Sequence, residues 1–255
     1  MIQIFDAVVL GVIEGLTEFL PISSTGHLIV ASKFLGLEQN AITKAYEMII
    51  QFAAILAVVL HYPSKFTLKY IDLWMKVALS FLPLGIIGFL CADFIKSLFS
   101  VQIVAVMFII GGIVFIIVEQ FYKEEKALTK DVEDITYKQS FYIGLAQVFA
   151  LIPGTSRAGS SIIGAMLVKL DRKTAAEFSF LLAVPVLCAT TAYDLLKHYD
   201  EFLSSNLLVL LIGFAVSFVV AYLAIKIFLK FLENFTFIAF GIYRIVFGIV
   251  LLILF

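Results

Sequence analysis

The chain has 255 residues, 62% of them hydrophobic and only 15% charged, with a net charge of −1 and a mean hydropathy of +1.09. A soluble domain of this length needs roughly half its residues polar to face water, so a soluble enzyme or a nucleic-acid-binding module is excluded and an all-α integral membrane protein is predicted. Two cysteines, five prolines and no long Ser/Gly or acidic tract leave no disulfide framework, zinc site or disordered linker.

The stretch Met1 to Asp6 has no basic residues ahead of its apolar run, and that run carries Glu14 and Glu18, so it is expected to be a membrane element and not a cleaved signal peptide. Apolar segments at 5–20 and 24–35 are joined by Pro21-Ile22-Ser23-Ser24-Thr25-Gly26-His27. A run of about 12 residues rises only about 18 Å, too little for a hydrocarbon core about 30 Å thick, so the pair is predicted to be a re-entrant hairpin broken at its tip by proline and glycine. Full spans follow at 45–61, 77–95 and 101–121, with Tyr62, Tyr70 and Trp74 as an interfacial belt. Cys91 and Cys188 lie in apolar stretches and are expected to act as small hydrophobes. A charged linker over 122–139 is expected to face water. Beyond it the pattern recurs: a second short pair at 141–152 and 157–170, joined through Pro153-Gly154-Thr155-Ser156-Arg157-Ala158-Gly159-Ser160, then spans at 177–196, 207–229 and 235–255.

The chain therefore reads as one membrane domain over 1–255 built from two repeats, about 1–121 and 140–255. An offset of 130 pairs Ala45 with Ala175, Glu47 with Glu177 and Gly111 with Gly241, and drifts to 132 or 133 nearer the start, pairing Pro21 with Pro153, Ser24 with Ser156, and Glu14 with Gln147. Each half has one hairpin and three spans. Three is odd, so the halves are expected to be inverted. In that drawing 12 basic residues fall on the side of the linker and 4 on the other. The bias makes the linker side cytoplasmic and both termini external.

Few ionisable groups then remain at depth: Glu14, Glu18, His27, Arg157 and Arg244. A charge at a helix centre costs at least ~2.5–3.5 kcal/mol on insertion scales, so each asks for a reason. Glu14 and Glu18, four residues apart, share a helical face, and two carboxylates so close call for a shared proton or a cation. Inverted hairpins entering from opposite faces bring their tips together near the midplane, converging Ser23, Ser24, Thr25 and His27 on Gly154, Thr155, Ser156, Arg157, Ser160 and Ser161. Arg157 ahead of a helix, between Gly154 and Gly159, suits an anion, and phosphate is the expected one. Gln51 is a candidate for the cavity wall. His61 and His198 are expected to be solvated interface residues, Glu47 and Glu177 to head their spans, and Arg244 to need a buried ion-pair partner. No nucleotide-binding glycine loop and no DNA-sized basic patch is present, so nucleic acid is not an expected partner.

Glu14-Gly15-Leu16-Thr17-Glu18-Phe19-Leu20-Pro21 with Ser23-Ser24-Thr25-Gly26-His27, together with Pro153-Gly154-Thr155-Ser156-Arg157, resemble the two signature regions of the bacterial undecaprenyl-diphosphatases, the BacA/UppP family linked to bacitracin resistance. Glu177 to Pro185 resembles it too, and the similarity runs essentially the whole length. One departure is Ala158-Gly159, where the family often has Ser-Gly. The resemblance implies hydrolysis of undecaprenyl diphosphate to undecaprenyl phosphate and inorganic phosphate in the bacterial inner membrane, at a site open to the outer face and dependent on a divalent cation, magnesium or calcium. It implies roles for Glu14, Glu18, Ser24, His27, Ser156 and Arg157. Arg157 and the tip residues Ser23, Thr25, Gly154, Thr155 and Ser156 would hold the terminal phosphate, Glu14 and Glu18 the metal, and either Ser24 or His27 would be the nucleophile. The implied partners are a polyprenyl diphosphate and membrane lipids, and a homodimer is compatible with them. A different class, a secondary transporter or lipid flippase with an anion site at the tips, shares this architecture.

Overall fold

Where the chain breaks its helices is set by proline, glycine and two serines. In the computed structural model, which describes residues 2–38, 40–197 and 206–255, α1 (Ile4–Thr17) ends just before Pro21 and α2 (Ser24–Phe34) begins after Ser23, held at φ 68°. The second hairpin repeats this: α7 (Tyr137–Gln147) passes through a single 3-10 turn into Pro153 and Gly154, and α8 (Arg157–Leu167) begins after Ser156, held at φ 78°. Both short helices also end alike. Gly36 at φ 67° closes α2, with Leu37 N–H on Ser32 O at 2.8 Å, and Lys169 at φ 70° closes α8, with Leu170 N–H on Ala165 O at 3.0 Å. This is the six-to-one bond of a left-handed C-terminal cap. Starts and ends alike are 133 residues apart, so by backbone Ser23, and not Ser24, is the counterpart of Ser156. The second tip has one more residue between its proline and its capping serine, which is what displaces the register by one.

Among the described residues five helices are long and apolar enough to cross a membrane: α3 (Ala41–His61), α4 (Ile71–Leu90), α6 (Val101–Phe121), α9 (Arg172–Lys197) and α10 (Leu207–Leu232). The chain is a multi-pass membrane protein. The sixth expected span, α11 (Ile238–Leu254), has 17 residues, because a turn after α10 uses the positions expected to open it. Two further boundaries moved. Helix α4 starts at Ile71 because the aliphatic stem of Lys76 is buried, with its ammonium 2.7 Å from Asp72 and 2.9 Å from Glu133 O, and the short α5 (Ala92–Ser97) follows it. The expected linker is part of the packed structure. Val132 and Ile135 are buried, Thr129 bridges Leu170, and α7 begins inside it behind a Thr136/Gln139 capping box.

Glycines set the closest helix contacts. Gly112 lies against Gly241 O and Gly248 against Ala105 O, so α6 and α11 run antiparallel at close range. Gly11 meets Gly213 O and Gly15 meets Ser217 O, laying α1 along α10 in the same direction. Tyr137 and Ser140 on α7 reach Asp72 and Ser80 on α4, again in one direction. Asn40 caps α3 and Asp171 accepts from Thr174 N–H at the start of α9. Glu47 and Glu177 therefore lie in the second turns of α3 and α9, because both helices extend past the apolar run. His198 lies outside the described residues.

Candidate active site

Glu18 ends α1 and turns its carboxylate toward both hairpin tips. One oxygen accepts from Ser24 Oγ, the first residue of α2, at 2.5 Å; the other accepts from Arg157 Nη2, the first residue of α8, at 2.8 Å. Arg157 Nη1 donates to Ser179 O on α9 at 2.9 Å, and its Nε has no acceptor among the described residues. Four helices from the two halves of the sequence are thus tied into one chain of hydrogen bonds: Ser24, Glu18, Arg157, Ser179. It borders a cavity of about 120 Å³ lined by Ser23, Ser24 and Thr25 from one tip and Pro153, Gly154, Ser156 and Arg157 from the other, with Glu18, Gln51, Phe99, Leu151 and Leu187 in the wall. Gln51 stands where the sequence suggested.

Of the remaining candidates Ser156 lines this cavity, and His27, Glu14, Thr155, Ser160 and Ser161 are not among its lining residues. The His27 ring stacks on Phe247 at 4.5 Å between centroids, with Nδ1 on Ser23 O of its own tip at 2.8 Å and Nε2 on Tyr243 OH of α11 at 2.6 Å, so both ring nitrogens are engaged. Ser156 caps α8, its Oγ accepting from Gly159 N–H at 3.1 Å, and Thr155 Oγ1 is buried without a partner. Ser160 and Ser161 bond back within α8, and Ser161 also reaches Ser179 Oγ. Glu14 is fully buried one turn behind Glu18, and among the described residues neither of its oxygens accepts a hydrogen bond; Gln147, with which the sequence offset pairs it, is buried and without a partner among them in the same way.

Among the described residues Arg244 has no ion-pair partner, contrary to expectation. Its guanidinium, completely buried, donates to three main-chain carbonyls at 3.0 Å: Pro21 of the first tip, Gly154 of the second, and Met107 of α6. Broken helices leave carbonyls without intrahelical donors, and a buried guanidinium with five N–H groups satisfies several at once. Phe108 packs on its face, and Gly111 leaves the room: a Cβ there would stand 2.3 Å from Nη2. Sequence reasoning also missed Ser179 and Tyr243. For Ser179 the only signal was a polar residue inside a span.

Over residues 7–250 the chain matches the family described as bacitracin resistance protein BacA. It belongs to the BacA family. It is 67% identical over 253 residues to the undecaprenyl-diphosphatase of Sulfurimonas denitrificans, covering 99% of both chains. It is 62% identical over 250 residues to undecaprenyl-diphosphatase 2 of Pseudoalteromonas translucida, covering 98% of both, and 52% identical over 253 residues to the Methanococcus aeolicus undecaprenyl-diphosphatase, covering 99% of both. For a BacA family chain, then, the Ser24–Glu18–Arg157 chain lies within the region that matches.

Proposed function

We propose that this protein is a membrane phosphatase that hydrolyses undecaprenyl diphosphate to undecaprenyl phosphate and inorganic phosphate, returning the lipid carrier to cell-wall synthesis in the bacterial cytoplasmic membrane. The observation that carries this reading is the Ser24–Glu18–Arg157 chain at the cavity wall. Ser24 Oγ attacks the terminal phosphorus while Glu18 takes its proton; the bridging P–O bond breaks and undecaprenyl phosphate leaves with the electron pair. Glu18 gives that proton up to solvent and then deprotonates a water whose oxygen attacks the phosphorus on Ser24; the Oγ–P bond breaks, Oγ takes the proton from Glu18, and inorganic phosphate leaves. Arg157, whose Nε is uncommitted, neutralises charge on the phosphoryl oxygens, aided by the tip residues Ser23, Thr25, Gly154, Thr155 and Ser156. His27, with both ring nitrogens engaged elsewhere, holds the first tip against α11.

A divalent cation, magnesium or calcium, fits these residues. Two carboxylates face one guanidinium, Glu14 offers two unsatisfied oxygens, and magnesium is ordinarily held by one or two carboxylates together with substrate phosphates. Glu14 and Glu18 would hold it, and bound there it would offset diphosphate charge.

The two helix pairings support an inverted repeat with re-entrant hairpins. Helix α1 runs along α10 and α7 along α4, which are each other's repeat counterparts exchanged, while α6 and α11 cross antiparallel near Gly112 and Gly241, close to a common axis. The excess of basic residues on the linker side supports external termini, and Phe99 in the cavity wall, near Lys96 on the opposite side, supports an outward-facing opening. A homodimer is compatible with this arrangement.

The deciding experiment is phosphate release from a polyprenyl diphosphate by purified, folded protein in detergent with divalent cation supplied. Release is expected, and its absence would leave transport as the reading. Orientation has its own check: a membrane-impermeant maleimide should label Asn40→Cys from outside and fail to label Glu133→Cys.

A further inference from the structure

A second concavity, of about 390 Å³, lies well away from the tips, between the linker-side ends of α6 and α8. Its floor is apolar, formed by Ile117, Val118, Met166 and Leu167 among others, and its lip carries Lys123, Lys126 and Lys169. All three lysines are exposed and form no ion pair among the described residues. The adjacent Glu124 is taken by Arg172 at 2.5 Å, and no carboxylate lines the groove.

Lys169 is the informative residue. It holds the left-handed position that closes α8, at φ 70°, where glycine is the least strained choice. The same cap on α2, 133 residues earlier, does use glycine, Gly36 at φ 67°. At that other end the corresponding corner is filled from within the chain: Phe34 meets Phe255, and Lys33 lies 3.8 Å over the Phe255 ring. On the linker side Phe121 and Leu167 are 80% and 66% exposed and nothing among the described residues fills the space between them. The backbone carries a lysine at a position suited to glycine, at the mouth of an open apolar groove that already has two unpaired cations.

We propose that this groove binds one anionic glycerophospholipid, its phosphate on Lys123, Lys126 and Lys169 and an acyl chain along the α6/α8 seam. Basic pockets between membrane helices on the cytoplasmic side suit anionic headgroups by charge, and the apolar floor distinguishes a lipid from free phosphate. Assignment to the inner leaflet rests on the orientation proposed above; the binding itself does not.

The test is native mass spectrometry of the full-length protein titrated with phosphatidylglycerol or phosphatidylcholine, which needs no turnover and so stands or falls apart from the phosphatase reading. Phosphatidylglycerol is expected to bind preferentially, and Lys123→Gln, Lys126→Gln and Lys169→Gly combined to weaken it roughly a hundredfold, about fivefold per lysine. Phosphate release in detergent should persist in this variant. Equal retention of the two lipids by the unaltered protein, displacement of phosphatidylglycerol by millimolar inorganic phosphate, or undiminished binding in a variant of unchanged Tm overturns the proposal. Should the triple variant fold poorly, Lys169→Gly alone relieves the backbone and should still lose about fivefold; unaltered affinity there overturns it equally.

Discussion

Arg157 at the head of α8 and Glu18 at the end of α1 are joined at 2.8 Å across 139 residues of sequence, with only 10% and 6% of their side chains exposed. A buried pair of this kind is poor evidence for stability as such, since desolvation offsets most of the attraction. Its value lies in placement: it sets a carboxylate against Ser24 and a guanidinium beside it, with Arg157 Nε free of any acceptor among the described residues.

Removing one member exposes the other. Arg157→Ala should lower kcat by roughly a thousandfold or more, the scale of losing a cationic clamp in phosphoryl transfer, and should destabilise by about 3–5 kcal/mol because Glu18 is left buried and unpaired. Adding Glu18→Gln should recover much of the Tm and none of the activity. Thermal unfolding and phosphate release, measured on the same preparations, separate the two effects; a Tm unaffected by Arg157→Ala refutes the buried-pair account.

Ser24 and His27 are distinguished by where they point. Ser24→Ala should reduce phosphate release by at least about a thousandfold, as loss of an activated nucleophile does. His27→Ala should retain turnover within about tenfold and show its effect as a lower Tm, because its ring packs on Phe247 and bonds Tyr243. Steady-state assays decide; near-complete loss in His27→Ala with Ser24→Ala still active inverts the assignment.

Among the described residues neither Glu14 oxygen accepts a hydrogen bond, and its nearest charged neighbour is the like-charged Glu18. Glu14→Gln should therefore leave Tm unchanged or raise it, while increasing the magnesium needed for half-maximal rate by about tenfold or more. A cation titration of variant against parent measures this, and identical titration curves would remove Glu14 from the metal site.

Arg244 links the two tips and α6 through main-chain carbonyls alone. Arg244→Met should cost on the order of 3–5 kcal/mol by orphaning buried carbonyls, and Gly111→Ala should reproduce a milder form, about 1–3 kcal/mol, by pressing a methyl into the same guanidinium. Both are expected to lower phosphate release although neither replaces a residue of the cavity wall, because Arg244 holds Gly154, which belongs to it. Stability within experimental error of the parent in both variants contradicts the carbonyl clamp.

The helix breaks between α1 and α2 and between α7 and α8 were legible because proline and glycine interrupt otherwise continuous apolar runs, and the meeting of Glu18, Ser24 and Arg157 because polar side chains at membrane depth are expensive and seek one another. Arg244 was visible as an anomaly and its partners were not, since a carbonyl freed at a helix break belongs to no residue type. The direction of His27 was hidden for a related reason: a residue on a tip can face the cavity or the neighbouring helix, and Tyr243 and Phe247 decide that from 216 residues or more away. Residue matching paired Ser24 with Ser156, whereas conformation pairs Ser23 with Ser156, because the shared property is a left-handed cap and not a side chain. The linker looked purely solvated because its charges outnumber Val132 and Ile135, the two residues that anchor it.

The carbonyl clamp also orders events in time. Both tips are synthesised and inserted well before residue 244, yet the guanidinium that fastens Pro21 to Gly154 belongs to the last helix. Until that helix enters the bilayer the two tips share only the Glu18–Arg157 bond and lack the carbonyl clamp between Pro21 and Gly154, so the groups proposed as base and anion clamp are not yet held to their final geometry. The final seventeen-residue helix is in this sense the closing pin of the assembly, and truncation there should disable a site whose lining residues are all present.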